Sequence, residues 1–191
     1  MQLLFATHNA HKVAEVNRIL EQTGIELVTL SEIGLSEDPP ETGDTFEANA
    51  LQKARWVYER TGRPVVADDS GLEVDALRGA PGVHSKRFSP EAQPGPNNQL
   101  LLERLGAAVD RRARFRCVIA VIDEHGERTA EGSCEGTIGT ALQGTGGFGY
   151  DPLFHPDEAP GRTMAELSME DKNAISHRGR AFRQLPGLLG G

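Results

Sequence analysis

The chain has 191 residues, with 20 Lys or Arg against 28 Asp or Glu and a formal net charge of −8. That length suits one large domain, or two closely joined lobes, with enough residues to bury a core. The acidic balance argues against a broad nucleic-acid-binding face, which needs a basic stripe, and 38% hydrophobic with 25% charged residues argues against disorder.

Residues 2–6 (QLLFA) are a short apolar run, read as a strand because it has neither the length nor the basic flank of a signal peptide. No later run approaches the ~20 apolar residues of a membrane span, so no membrane partner is expected. After Thr7-His8-Asn9, Val13, Val16 and Leu20 lie at helical spacing over residues 10–22, and Gly24 closes that helix. A strand over 26–30 completes an α/β opening. Residues 31–43 read as loop. Asp44-Thr45-Phe46-Glu47 fits a capping box with Asp44 as the cap, ahead of a helix that carries Phe46, Ala50, Ala54 and Val57 to about Arg60.

Residues 64–67 form a buried-strand pattern that runs into Asp68-Asp69-Ser70-Gly71. Residues 79–96 read as irregular loop, 98–105 as helix, 115–122 as the strongest strand and 128–139 as its hairpin partner. Residues 144–151 (GTGGFGYD) form a glycine loop, Ser168 caps a short helix, and one final helix spans 180–189 despite Pro186. No linker or repeat divides residues 1–191, which are read as a single domain. Cys117 and Cys134 do not make a disulfide framework and suggest two small buried side chains in a reducing, cytoplasmic setting.

Five segments carry possible chemistry, each beside a plainer alternative. Thr7-x-Asn9-x-x-Lys12 stands where a strand opens a helix, a position whose free N–H groups favour an anion; alternatively, Asn9 is a simple cap and Lys12 is solvated. Asp68 and Asp69 follow a buried strand, where a divalent cation would offset two desolvated carboxylates. Successive strand residues point to opposite faces, so only one of the two should face a site; the alternative is an exposed Asp-Ser-Gly turn.

Glu41, in the loop before the second helix, could be a second metal carboxylate. Asn49 and Lys53, four apart, share a helix face, with Lys53 a possible phosphate cation; otherwise this is a solvated surface. The loop 144–149 matches G-x-G-x-x-G, but Pro152 and Pro156 leave no helix after it, so a dinucleotide site is rejected. It would instead present Phe148, Tyr150 and Asp151 to a flat base, or else be a hairpin loop with a core aromatic. Lys172 could meet phosphate, and His177 and Arg178 could donate to carbonyl oxygens, or all three could simply suit a helix C-terminus. Neither cysteine has a partner at C-x-x-C spacing, and serine-hydrolase and P-loop motifs are absent from the sequence.

In order, these motifs resemble one family closely: the non-canonical purine nucleoside triphosphate pyrophosphatases (the inosine triphosphate, or dITP/XTP, pyrophosphatase family). The matching segments are Ala6-Thr7-His8-Asn9-x-x-Lys12, Glu41-Thr-Gly43-x-Thr45-Phe46-x-x-Asn49-Ala50-x-x-Lys53-Ala54, Ala67-Asp68-Asp69-Ser70-Gly71-Leu72, Gly79-Ala80-Pro81-Gly82-Val83, GTGGFGYDP over 144–152 and Ser176-His177-Arg178-Gly179. His8 departs from the glycine many relatives carry. The resemblance implies an α/β fold, a two-lobed mixed sheet with flanking helices, an active cleft between the lobes, and a homodimer. It implies hydrolysis of ITP, dITP and XTP to the monophosphate and pyrophosphate, with Mg²⁺. Thr7, His8, Asn9, Ala10, His11 and Lys12 would hold the triphosphate, with Lys53 and Lys172 beside it. Glu41 and Asp69 would be the metal carboxylates, and Asp69 would also take the proton from water. Ser70, Phe148, Gly149, Tyr150, Asp151, His177 and Arg178 would contact nucleotide. The runner-up is a non-catalytic nucleotide-binding module on the same fold, which would not need the water-activating acid.

Three of the four lysines, Lys12, Lys53 and Lys172, fall inside the triphosphate site that the resemblance implies. Lysine is a compact point charge on a flexible stem, suited to polyphosphate oxygens.

Overall fold

The structure, a computed structural model, describes residues 1–190. Six strands form a single mixed sheet in the order β2-β1-β3-β4-β5-β6. They are β1 (Gln2–Phe5), β2 (Glu26–Thr29), β3 (Val65–Val74), β4 (Arg112–Asp123), β5 (Gly126–Ile138) and β6 (Phe154–Pro156). The helices are α1 (Ala10–Leu20), α2 (Phe46–Thr61), α3 (Pro94–Leu105), α4 (Met169–Ile175), α5 (His177–Phe182) and α6 (Leu185–Leu189). Strand β1 pairs in parallel with β2 and β3, as expected where helices carry the crossovers.

The chain divides into two compact units, each discontinuous in sequence. The first comprises Met1–Asp69, Cys117–Gly132 and the segment from Arg178 on. Its core packs Leu3, Phe5, Val66, Ile119 and Val121 from the strands against Val16, Leu20, Phe182 and Leu185 from helices. Phe5 meets Phe182 edge to face at 5.6 Å, a favoured aromatic geometry. The second unit comprises Ser70–Arg116 and Ser133–His177, around Leu72, Val74, Leu101, Phe115, Ile138, Leu153 and Phe154.

Local structure departs from the sequence expectations in several places. The N-cap of α2 is Thr45, whose hydroxyl accepts from the Ala48 N–H, so the box on Asp44 does not form. Helix α3 starts at Pro94 because proline suits the first turn, where no N–H is needed. The irregular segment before it contains a 3₁₀ turn over Gly82–Arg87. Strand β6 escaped notice because it is three residues long and ends on a proline at the sheet edge. The final helix is two, α5 and α6, with Pro186 in the first turn of α6. No described helix is long and apolar enough to cross a membrane.

Candidate active site

Strand β3 spans ten residues, so Asp68-Asp69-Ser70-Gly71 is neither a turn nor a strand end. Its pairing with β1 covers only Val65 and Val66, leaving the two aspartates beyond the β1 terminus. The strand's alternation then gives them separate partners. Asp68, 1% exposed, pairs with Lys12 at 2.8 Å and lies 3.8 Å from the Arg178 Nε. Burial pushes its carboxyl upward, but Lys12, Arg178 and Lys53 outweigh that and hold it well below the usual carboxylate range. Asp69, 6% exposed, accepts from the Asn49 Nδ2 at 2.9 Å and lies 3.9 Å from the Lys53 Nζ. Here burial outweighs Lys53, Lys12 and Asn49, so Asp69 binds its proton more readily than an ordinary aspartate.

Helix α2 organises this second group. Asn49 and Lys53 share a face. Asn49 accepts from the Gly43 N–H at 2.7 Å while donating to Asp69, tying the loop that holds Glu41 to strand β3. A Cβ at Gly43 would stand 2.8 Å from the Ala48 Cβ, so only glycine allows this approach. Lys53 donates to the Glu41 Oε1 at 2.5 Å. Glu41 is held below its usual range because Lys53 and Lys12 outweigh the upward effect of burial. The two carboxylates expected as metal ligands thus converge on one ammonium. Among the described residues no group of three or more His, Cys, Asp or Glu forms a metal cluster. Two hard carboxylates nevertheless suit Mg²⁺, which draws its other ligands from water and substrate phosphates.

The first loop follows the plainer reading for Asn9, whose Oδ1 caps α1 by accepting from the His11 and Lys12 N–H groups. Thr7 Oγ1 accepts from the Asn9 N–H at 3.1 Å. The His8 ring reaches Ser31 Oγ and Glu37 O, both at 3.3 Å, so the side chain replacing glycine turns toward the 31–37 loop. Ala10 and His11 are exposed at the start of α1.

Arg178 departs from the free donor envisaged for a base. Its guanidinium is buried, and Nη1 donates to Glu15 at 2.6 Å across 163 residues of sequence. Glu15 was missed because it resembles a surface acid in an amphipathic helix; its spacing of three from Lys12 was the available signal. Asn49 was noticed on its helix face but given no role. Cys117 packs beside Asp68, and burial, aided by that negative charge, pushes its thiol up to about 12. Cys134 is equally buried. A thiol reagent at pH 8 should therefore label neither cysteine in the native protein and both after denaturation; rapid native labelling would contradict this environment.

In the second unit, the glycine loop faces inward more than expected. Tyr150 is a core aromatic, 4% exposed, with its hydroxyl donating to the Ser85 carbonyl at 2.8 Å. Asp151 Oδ2 accepts from the Phe148 N–H at 2.8 Å and from the Lys172 Nζ at 2.7 Å. Gly147, at φ +67°, leaves no room for a Cβ against that carboxylate. Phe148 and Gly149 remain half-buried, with the Lys172 ammonium 4.9 Å from the Phe148 ring centre. The buried His177 ring stacks on Phe115 at 4.8 Å. Ser70 is half-buried on β3. All three lysines of the motifs thus face carboxylates, while Lys86 is exposed.

Residues 3–187 match the family model described as the Ham1 family. The chain is 50% identical over 192 residues to the dITP/XTP pyrophosphatase of Porphyromonas gingivalis, covering 98% of this chain and 97% of the relative. It is 50% identical over 193 residues to the dITP/XTP pyrophosphatase of Desulforamulus reducens, covering 99% and 96%. Among solved structures it superimposes on the Staphylococcus aureus Ham1 protein with a TM-score of 0.88 at 37% identity, covering 99% of this chain and 98% of that one. For a HAM1 protein from Coxiella burnetii the TM-score is 0.88 at 42% identity, with the same coverage.

Proposed function

The chain belongs to the Ham1 family, and from that premise we propose that it hydrolyses dITP, ITP and XTP to the monophosphate and pyrophosphate, clearing deaminated purines from the nucleotide pool. The observation that carries the reading is Asp69: a buried, proton-seeking carboxylate, oriented by Asn49 and set with Glu41 around Lys53. A carboxylate held at a raised pKa suits the acceptance of a proton from water. The names of the relatives, which are those of enzymes, support the same reading. A non-catalytic nucleotide-binding module would have no use for such a base and is not favoured.

In this mechanism the water oxygen bonds to the α-phosphorus, the bond from that phosphorus to the bridging oxygen breaks, and pyrophosphate leaves with the bond's electrons. Asp69 takes the water proton. Lys12 and Lys53 neutralise charge on the triphosphate and leaving group, and Lys172 is assigned to the triphosphate by the family resemblance. The first loop, Thr7–Lys12, provides backbone N–H groups at the start of α1. Glu41 and Asp69 would hold Mg²⁺, which when bound supplies charge neutralisation and a more acidic water.

Phe148, Gly149, Tyr150, Asp151, Ser70, His177 and Arg178 are assigned to nucleotide by their motif matches. Hypoxanthine and xanthine present O6 as an acceptor where adenine presents a donor, and mismatched buried polar groups are heavily penalised. A homodimer in the cytoplasm completes the proposal: the family resemblance supports the dimer, and two buried cysteines outside any disulfide suit a reducing compartment.

The test is a panel of dITP, XTP, dATP and dGTP with Mg²⁺ and product identification. Pyrophosphate release, with dITP and XTP far ahead of dATP, is expected. Orthophosphate as the product, or dATP used as fast as dITP, would sink the proposal.

A further inference from the structure

Ser85, Asn97 and Asn98, which belong to none of the nucleotide motifs, form a polar frame around the glycine loop of the second unit. Helix α3 buries two consecutive asparagines, Asn97 and Asn98, each 5% exposed. Asn97 accepts from the Ser89 N–H at 2.7 Å and donates to the carbonyls of Lys86 at 3.1 Å and Ser85 at 3.4 Å, fixing the 3₁₀ turn ahead of α3. Ser85 closes that turn through its own hydroxyl, which accepts from the Leu72 N–H and donates to Gly82 O. The Ser85 carbonyl then receives the Tyr150 hydroxyl at 2.8 Å. One residue along the helix, the Asn98 Nδ2 donates to Gly149 O at 3.0 Å. Phe148 is therefore bracketed: Asp151 holds its N–H, Asn98 holds the next carbonyl, and Ser85 holds the next side chain.

Residues 141–147 are exposed and glycine-rich, so they offer few apolar anchors, and ordering glycines is entropically costly. A loop of this kind reads a ligand reproducibly only when its surroundings fix it beforehand. The Asn98 amide is incompletely used, since its buried Oδ1 meets no donor among the described residues. Its donor end, held on Gly149 O, is the contact that ties α3 to the glycine loop.

We propose that Asn98 is a positioning residue for base selection, setting the Gly149 carbonyl and with it the Gly149–Tyr150 peptide one residue past Phe148, and that the Tyr150 hydroxyl on Ser85 is the second tether of the same frame. The inference rests on the reading above that this loop contacts the purine. It is tested with Asn98→Ala, the near-isosteric Asn98→Asp, and Tyr150→Phe, which deletes one hydroxyl and keeps the ring. For each variant, kcat and KM are measured with dITP and dATP, alongside the melting temperature.

The expected result is a KM for dITP raised about tenfold with kcat within about threefold, and a dITP-over-dATP preference in kcat/KM reduced about tenfold. Agreement between Asn98→Ala and Asn98→Asp would assign the effect to the lost donor rather than to lost volume. A lowered melting temperature with the preference intact in all three variants would make the frame purely structural and overturn the inference. If the wild type itself shows no dITP preference, the proposed function falls and this inference with it. A wild type that discriminates, with variants that discriminate equally well, removes this inference alone.

Discussion

Replacing Asp69 by asparagine should lower kcat for dITP by about 10²–10⁴-fold while nucleotide affinity stays within a few-fold. The substitution is nearly isosteric. The retained amide oxygen can still accept from the Asn49 Nδ2, which is 2.9 Å from Asp69 Oδ2 in the native site, so the β3–α2 geometry is preserved. What is lost is the capacity to take a proton, at a position where burial has raised the affinity for one. Lys12 and Lys53, the cations proposed for the triphosphate, remain on α1 and α2. Pyrophosphate release gives kcat, and calorimetric titration with a non-hydrolysable dITP analogue gives the affinity. An unchanged rate would remove Asp69 from the mechanism. Parallel loss of rate and affinity would instead make it chiefly a determinant of triphosphate and metal binding.

The elements that could be read from sequence are those whose signal is local. Val13, Val16 and Leu20 announce α1, and the apolar block 115–122 announces the centre of β4, although the strand runs from Arg112 to Asp123. The shared face of Asn49 and Lys53 follows from helical spacing alone, and so does the separation of Asp68 from Asp69 on a strand. Contacts made across the chain leave no such trace. Arg178 and Glu15 meet across 163 positions, and Tyr150 and Ser85 across 65. Arg178 accordingly read as a donor for carbonyl oxygens and Tyr150 as either a base-facing or a core aromatic, whereas one is locked in a buried ion pair and the other takes the core alternative. Asn98 read as the start of a helix, because its role depends on a glycine carbonyl 51 residues away. The charge pattern was informative in a different way. Three scarce lysines falling within the implied triphosphate site pointed to a common use, but only the structure pairs each with its own carboxylate.

The neighbouring aspartate should give the opposite outcome. Asp68→Asn is expected to cost about 3–5 kcal/mol of stability at pH 7, because it strips the partly buried Lys12 of its partner and the buried Arg178 of one of its two acids. Lys12 loses a partner at 2.8 Å, and Arg178 loses its second acid while keeping Glu15. For a chain of this size the melting temperature should fall by roughly 6–20 °C. The pH dependence follows from the direction of the shift. Lys12, Arg178 and Lys53 hold the folded carboxyl below its unfolded value of about 3.9 despite burial. The folded state therefore binds this proton less readily than the unfolded one, and the stabilisation is complete above about pH 5 and lost as pH falls further. The wild-type-to-variant gap should accordingly be flat from neutral pH to about pH 5 and narrow in more acidic solution. Urea unfolding of both proteins between pH 3 and pH 8 measures it. A gap below about 1 kcal/mol at neutral pH, or one that does not change in acid, would show that Asp68 is not the counter-charge of this network. Adding Lys12→Met to Asp68→Asn should recover part of the loss, since removing both members of a buried pair is less damaging than stranding one.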